Sequence, residues 1–155
     1  MTDLQKISKY EILEKIGQGG MGSLYKARDP LIGRLVAIKI ISAHLDADPG
    51  ARARFLREAQ SAGQLTHPNI VTVYDMGAEG DRLYLVMEHL DGRDLRTRLT
   101  AGEPIALDRK LDIIIAICDA LAHAHAKQIT HRDIKPANVF ITTTGQVKIH
   151  DFGLA

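Results

Sequence analysis

One run of seven residues, Leu35-Val36-Ala37-Ile38-Lys39-Ile40-Ile41, is apolar on both faces of a strand except for a single lysine. A strand of that kind has to be covered on both sides. A buried ammonium, however, is costly unless something pairs with it. Alternation puts Ala37 and Lys39 on one face, where a small residue could lie against a flat ring while the amine reaches an anion. A lysine snorkelling from an edge strand is the plainer alternative.

A partner for that amine is available at Glu58. From Ala51 to Leu65 the period is helical, with Phe55, Leu56, Ala59, Ala62 and Leu65 on one face and Arg52, Arg54 and Arg57 largely away from it. At 100° per residue Glu58 falls about 40° from Ala62 and about 20° from Leu65, on the apolar stripe. A carboxylate there suits an ion pair with Lys39; the bland reading is a glutamate at the stripe's margin.

Around these elements the chain reads as strands first and helices later. Tyr10–Ile16, Ser23–Arg28, Leu35–Ile41, Ile70–Tyr74 and Arg82–Met87 carry strand patterns, with a turn at Asp29–Gly33. Asp91-Gly92 breaks the pattern. Asp94–Leu99 and Asp108–Lys127 read as helices, and Val139–Ile141 with Val147–Ile149 as a hairpin around Thr143-Thr144-Gly145. This predicts an α+β chain with a β-rich part to about Met87, a short hinge and the start of a helical part.

The 155 residues leave room for one domain or two small lobes, and a net charge of +1 gives no pull toward nucleic acid or membrane. The most apolar stretch, Ile113 to Cys118, is bracketed by Asp112 and Asp119 and is far too short to cross a bilayer. A small buried side chain is expected at Cys118, the single cysteine. The chain reads as soluble and cytoplasmic, with no signal-peptide core from Met1 to Tyr10.

Gly17-Gln18-Gly19-Gly20-Met21-Gly22 follows a strand, but no helix follows it, as a dinucleotide-binding loop would require, and Gly-Lys-Ser/Thr is absent. What remains is a glycine-tipped hairpin able to lay backbone N–H groups over phosphates, or a plain flexible one. The densest cluster is His131-Arg132-Asp133-Ile134-Lys135-Pro136-Ala137-Asn138, followed by Asp151-Phe152-Gly153. Phosphoryl transfer needs a carboxylate for the incoming hydroxyl, oxygen ligands for Mg²⁺ and cations near the phosphates. Asp133 can orient the hydroxyl and accept its proton, and Lys135 can meet the γ-phosphate. Asn138 and Asp151 offer hard oxygen ligands. His123-Ala124-His125 is no zinc pair, because i,i+2 side chains diverge on a helix.

With these motifs in this order, the chain from about Tyr10 to Ala155 resembles the eukaryotic-type protein kinase family, serine/threonine branch. Asp133-Ile134-Lys135-Pro136 carries the branch, and the glycine loop is similar to bacterial members. The resemblance implies a bilobal kinase-like fold with a complete β-rich N-lobe and the first part of the helical C-lobe. Residues 1–9 would be an N-terminal extension, 10–87 the N-lobe, 88–93 the hinge and 94–155 the start of the C-lobe. It implies ATP and Mg²⁺ as cofactors, with Asp133, Lys135, Lys39 and Glu58 catalytic and Asn138 and Asp151 on the metal. The nucleotide would meet Ile16, Gly17, Gln18, Gly19, Gly20, Met21, Gly22, Leu24, Ala37, Lys39, Met87, Glu88, Leu90 and Phe140. Among these, Met87 would be the gatekeeper, while Glu88 and Leu90 would offer backbone bonds to the base. Arg132 would pair with a phosphorylated activation loop.

A family member continues with an activation segment and further helices, and the sequence stops at Asp151-Phe152-Gly153-Leu154-Ala155. Lys135-Pro136 with Asp151-Phe152-Gly153 implies a protein partner with a serine or threonine acceptor, with neither nucleic acid nor membrane. Self-association is expected through apolar faces of the shortened helical lobe. A non-catalytic ATP-binding module and a small-molecule phosphotransferase of kinase-like fold are the two alternatives.

Overall fold

The computed structural model describes residues 4–19, 22–41 and 49–152, without the side chains at 19, 49, 51, 54 and 58. The chain divides into two compact units, Met1–Ala59 with Val73–His89 and Gln60–Thr72 with Leu90–Ala155.

The first unit is a six-stranded antiparallel sheet and one helix. Its strands are β1 (Lys6–Ile7), β2 (Tyr10–Gly19), β3 (Gly22–Asp29), β4 (Arg34–Ile40), β5 (Val73–Glu79) and β6 (Arg82–Glu88), in the order β1-β2-β3-β4-β6-β5. Because β4 is paired on both edges, Lys39 is not on an edge strand. Val36, Ile38 and Ile40 point to one face and form a core with Ile7, Tyr10, Ala27, Tyr84 and Val86. The other face carries Ile41, Leu83 and Leu85, covered by Phe55 and Ala59 of α1 (Pro49–Gly63). Proline in the first turn gives up no needed N–H. The apolar face expected for this helix is the buried one: Phe55, Ala59, Ala62 and Leu65 are all buried.

The second unit joins a three-stranded antiparallel sheet to two helices. β7 (Gly92–Asp94), β8 (Val139–Thr142) and β9 (Val147–Ile149) pair in that order, with α2 (Leu95–Thr100) and α3 (Leu107–Ala126) beside them. Asp94 caps α2, its carboxylate accepting from Thr97 N at 2.8 Å. Ile113, Val139, Ile141 and Val147 make one core; Leu65, Ile70, Ala120, Ala124, Ile149 and Phe152 make another. No helix among the described residues is long and apolar enough to cross a membrane.

Four expectations are corrected. The strand expected at Ile70–Tyr74 runs from Val73 to Glu79, while Val71 N donates to Ile149 O and Ile70 bridges to Ile149 in the second unit. Gly92 does not break the chain but opens β7, where a Cβ would fall 2.2 Å from Ile141 O; only glycine lets the strands approach so closely. Cys118 is exposed rather than buried, since α3 is apolar on two sides and packs through Ile113, Ala120 and Ala124. β1, where the sequence showed no strand, is held because Ile7 is fully buried.

Candidate active site

In the first unit the register gathers the expected nucleotide residues. Leu24 and Leu85 stand opposite Lys39, and Met87 stands opposite Ala37, so Leu24, Ala37, Lys39 and Met87 share one sheet face. That is also the face on which Phe55 and Ala59 of α1 pack. Ala37 is buried and Lys39 half-buried, so the lysine is less enclosed than its strand suggested. Glu88 ends β6 opposite Val36. Glu58 lies in α1, one position before Ala59, with its side chain outside the described residues.

The glycine loop is the tip of the β2–β3 hairpin. Gly17 pairs with Leu24, Gln18 with Ser23 and Gly19 with Gly22, and Gly20 and Met21 lie outside the described residues. A register shift between Lys15 and Gly17 leaves Ile16 as the extra residue of a bulge, and it is exposed. Gly22 has φ of 130°, and a Cβ there would sit 2.1 Å from Ile40 O, so this glycine is dictated by backbone approach as well as conformation. Lys15 Nζ donates to Gln18 Oε1 at 2.7 Å.

In the second unit, Asp133, Lys135 and Asn138 come together. Lys135 Nζ pairs with Asp133 Oδ2 at 2.7 Å, and Asn138 Nδ2 donates to Asp133 O at 2.8 Å and to its Oδ2 at 3.2 Å. The Lys135 bond foremost, with help from Asn138 and against some desolvation, holds the Asp133 carboxyl below the usual carboxylate range. It is therefore ionised at neutral pH, suited to orient a hydroxyl and to take its proton late rather than early. The 3₁₀ turn Pro136–Asn138, closed by Asn138 N donating to Lys135 O, sets that geometry.

His131 had no assigned role in the sequence, yet it organises the loop. It is 1% exposed. Its Nδ1 accepts from Asp133 N at 3.2 Å, which leaves Nε2–H to donate to His150 O at 2.8 Å. Burial lowers the His131 pKa, opposed by the His150 carbonyl and the Asp151 and Asp133 carboxylates, so the ring stays neutral. Its edge meets Phe152 at 4.6 Å between centroids. His150 N in turn donates to Asn138 O, and His150 Nδ1 lies 3.2 Å from Asp151 Oδ2. The one sequence signal for this clip was a pair of histidines, each within two residues of a candidate aspartate.

Arg132 and Asp151 both hold left-handed backbone, with φ of 69° and 64°. Such a conformation costs about 1–3 kcal/mol in a non-glycine residue and gathers at functional sites. Arg132 is exposed, Leu90 and Phe140 are half-buried, and Gly153 lies outside the described residues. The donor set fits a hard divalent cation. Asn138 is 5% exposed and spends its Nδ2 on Asp133, which keeps its amide oxygen for a cation, and Asp151 adds a carboxylate.

Comparison with known proteins identifies the family and the fold. The family described as Protein kinase domain matches residues 10–155. Serine/threonine-protein kinase PrkC of Bacillus subtilis is 48% identical over 147 residues, 95% of this chain and 23% of that protein. Serine/threonine-protein kinase PknB of Mycolicibacterium smegmatis is 45% identical over 160 residues, all of this chain and 26% of that protein. The chain thus spans about a quarter of the length of these relatives. Among solved structures, the Mycobacterium tuberculosis PknI kinase domain superposes with a TM-score of 0.83 at 33% identity, covering 97% of this chain and 62% of that one. On sequence and fold alike, the chain belongs to the protein kinase family, in its bacterial serine/threonine branch.

Proposed function

We propose that this chain carries the ATP-binding and phosphoryl-transfer part of a protein serine/threonine kinase. The observation that supports it is the Asp133–Lys135–Asn138 cluster, which keeps a carboxylate ionised beside a cation and an amide oxygen. Asp133 would hold the acceptor hydroxyl and take its proton as the bond to phosphorus forms. Lys135 would leave the Asp133 carboxylate to neutralise charge on the transferring phosphoryl group. Lys39, paired with Glu58, would orient the α- and β-phosphates. The hairpin Gly17–Gly22 would cover the phosphates, and Ile16, Leu24, Ala37, Met87 and Phe140 would wall the base, with backbone bonds from Glu88 and Leu90. Asn138 and Asp151 would hold Mg²⁺, which screens the triphosphate charge when bound.

We assign the reaction to the cytoplasm, where ATP is at hand. The test is transfer of labelled γ-phosphate from ATP to serine and threonine peptides. Asp133→Ala should remove about 10³-fold or more of the rate. Full transfer by that variant would end the assignment of Asp133.

We also infer that the 155-residue polypeptide self-associates. Leu107, Leu111, Ile114 and Ile115 are exposed on one side of α3, spaced as a helical stripe that Cys118 continues. Sedimentation should give a concentration-dependent mass, and Ile114→Glu with Ile115→Lys should return it to a monomer. A monomer at every concentration would refute this.

A further inference from the structure

We propose that His67 and His123 form an acid-sensitive latch: a proton on His67 undoes the turn at Asn69, frees β9 and so loosens the hold on Asp151. The consequence for Asp151 rests on the kinase reading above; the latch itself does not.

The latch lies within the second unit, which holds both Gln60–Thr72 and Leu90–Ala155. His67 Nδ1 accepts from Asn69 N at 3.1 Å. A ring nitrogen accepts only while it carries no proton, so this bond belongs to the neutral ring with its hydrogen on Nε2. A protonated ring would set Nδ1–H against the Asn69 N–H, donor against donor. Asn69 is in turn the hub of the contact with β9. Its Nδ2 donates to Val147 O at 2.9 Å, and its own carbonyl accepts from Ile149 N at 2.8 Å. Val71 N adds a bond to Ile149 O at 2.9 Å. Ile149 ends β9, two residues before Asp151.

The surroundings make the proton unwelcome while the latch is closed. The His123 ring of α3 stands 5.1 Å from that of His67 between centroids, tilted by 40°. Its Nε2 is shut off from water and has no hydrogen-bond partner among the described residues. Such an orphaned nitrogen gains water when the contact opens. From β9, the buried Lys148 adds a positive neighbour. Asp119, one turn before His123 on α3, is the opposing carboxylate, but it is exposed. Burial foremost, then His123, holds the His67 pKa below its ordinary 6.5, with Asp119 opposing and Lys148 adding to the effect. The open form therefore takes the proton first. Between the lowered value and 6.5, opening gains up to about tenfold per pH unit, and above 6.5 it no longer changes with pH.

The experiment is amide hydrogen exchange of the full-length protein, read by mass spectrometry over residues 146–150 from pH 7.5 to 5.5 and corrected for the intrinsic rate. Protection should be constant above pH 6.5 and fall by about three- to tenfold per unit below it. His67→Asn offers a carboxamide oxygen to the same N–H, as an Asx turn, and takes up no proton. Its protection should fall less than half as far on a logarithmic scale. The KM for ATP with Mg²⁺ should rise between pH 7.5 and 5.5 in the wild type, and rise less in His67→Asn. An equal fall in both proteins, or a wild type without a fall, overturns the inference. If His67→Asn does not fold, His123→Phe decides: it keeps a ring and removes its charge, and an undiminished fall overturns the latch. Exchange as expected with the same KM change in both proteins overturns the coupling to Asp151. No phosphorylation by the wild type at any pH, with exchange as expected, overturns the kinase reading and supports the latch alone.

Discussion

Replacing His131 by phenylalanine separates what its ring does by shape from what it does by hydrogen bonding. The new ring fills nearly the same volume and keeps the edge contact with Phe152. It leaves Asp133 N and His150 O without the partners now at 3.2 and 2.8 Å. Each orphaned group costs about 1–3 kcal/mol where water cannot replace the partner. Both contacts lie around a side chain that is 1% exposed, so the loss should be about 2–4 kcal/mol. That is a large share of the ~5–15 kcal/mol typical of a domain.

The same substitution has a pH signature. Folding favours the neutral His131 ring, because its pKa is lowered from an ordinary value near 6.5. Between the lowered folded value and 6.5 the unfolded chain binds more protons, so stability rises with pH through that window. The contribution is complete above 6.5 and is lost as pH falls through the folded value. Burial, and then His123, lower the His67 pKa as well, so some acid sensitivity survives in the variant. Urea unfolding at pH 7.5 and 5.5 reads both effects. A variant within about 0.5 kcal/mol of wild type at pH 7.5, or one with an undiminished difference between the two pH values, would refute the reasoning.

Two glycines and one helix cap give further outcomes. Gly22→Ala should cost about 2–5 kcal/mol, combining a strained backbone with overlap on Ile40 O. Gly33→Ala, also at positive φ but with nothing near its Cβ, should cost about 1 kcal/mol; equal losses in urea unfolding would rule out the close approach. Asp94→Ala should remove about 1 kcal/mol of α2 capping, seen as faster amide exchange at Thr97, and unchanged exchange there would dismiss the cap.

The sequence was most legible where pattern and chemistry coincide. Leu35–Ile41 alternates around buried positions on both faces, and β4 duly lies inside the sheet. Phe55, Ala59, Ala62 and Leu65 announced the packed side of α1 through their helical spacing. The contact of Asp133 with Lys135 and Asn138 was readable because the three lie within six residues around a proline. Failures came where local pattern does not decide. Ile70 and Val71 look like the start of a strand, but their partner, Ile149, is far along the chain. Gly92 has the composition of a turn and the backbone of a close-packed strand, a distinction that depends on Ile141 across the sheet. α3 is apolar on two sides, so periodicity alone could not choose which one Cys118 would join. The His131 clip left no more than two histidines near aspartates as its signal, because its two bonds use backbone groups, which carry no residue-type signature.

The segment around Asn69 has a bearing on how this chain comes off the ribosome. Asn69 Nδ2 donates to Val147 O and Gln146 Nε2 to Pro68 O, each across 78 residues, while Ile149 N returns to Asn69 O. At about 5–20 residues per second, roughly 4–16 s separate the synthesis of the two halves of this clasp. For that interval Leu65 and Ile70 have no Ile149 to pack against. Nascent chains paused in this window should be the ones that a chaperone holding exposed apolar surface captures.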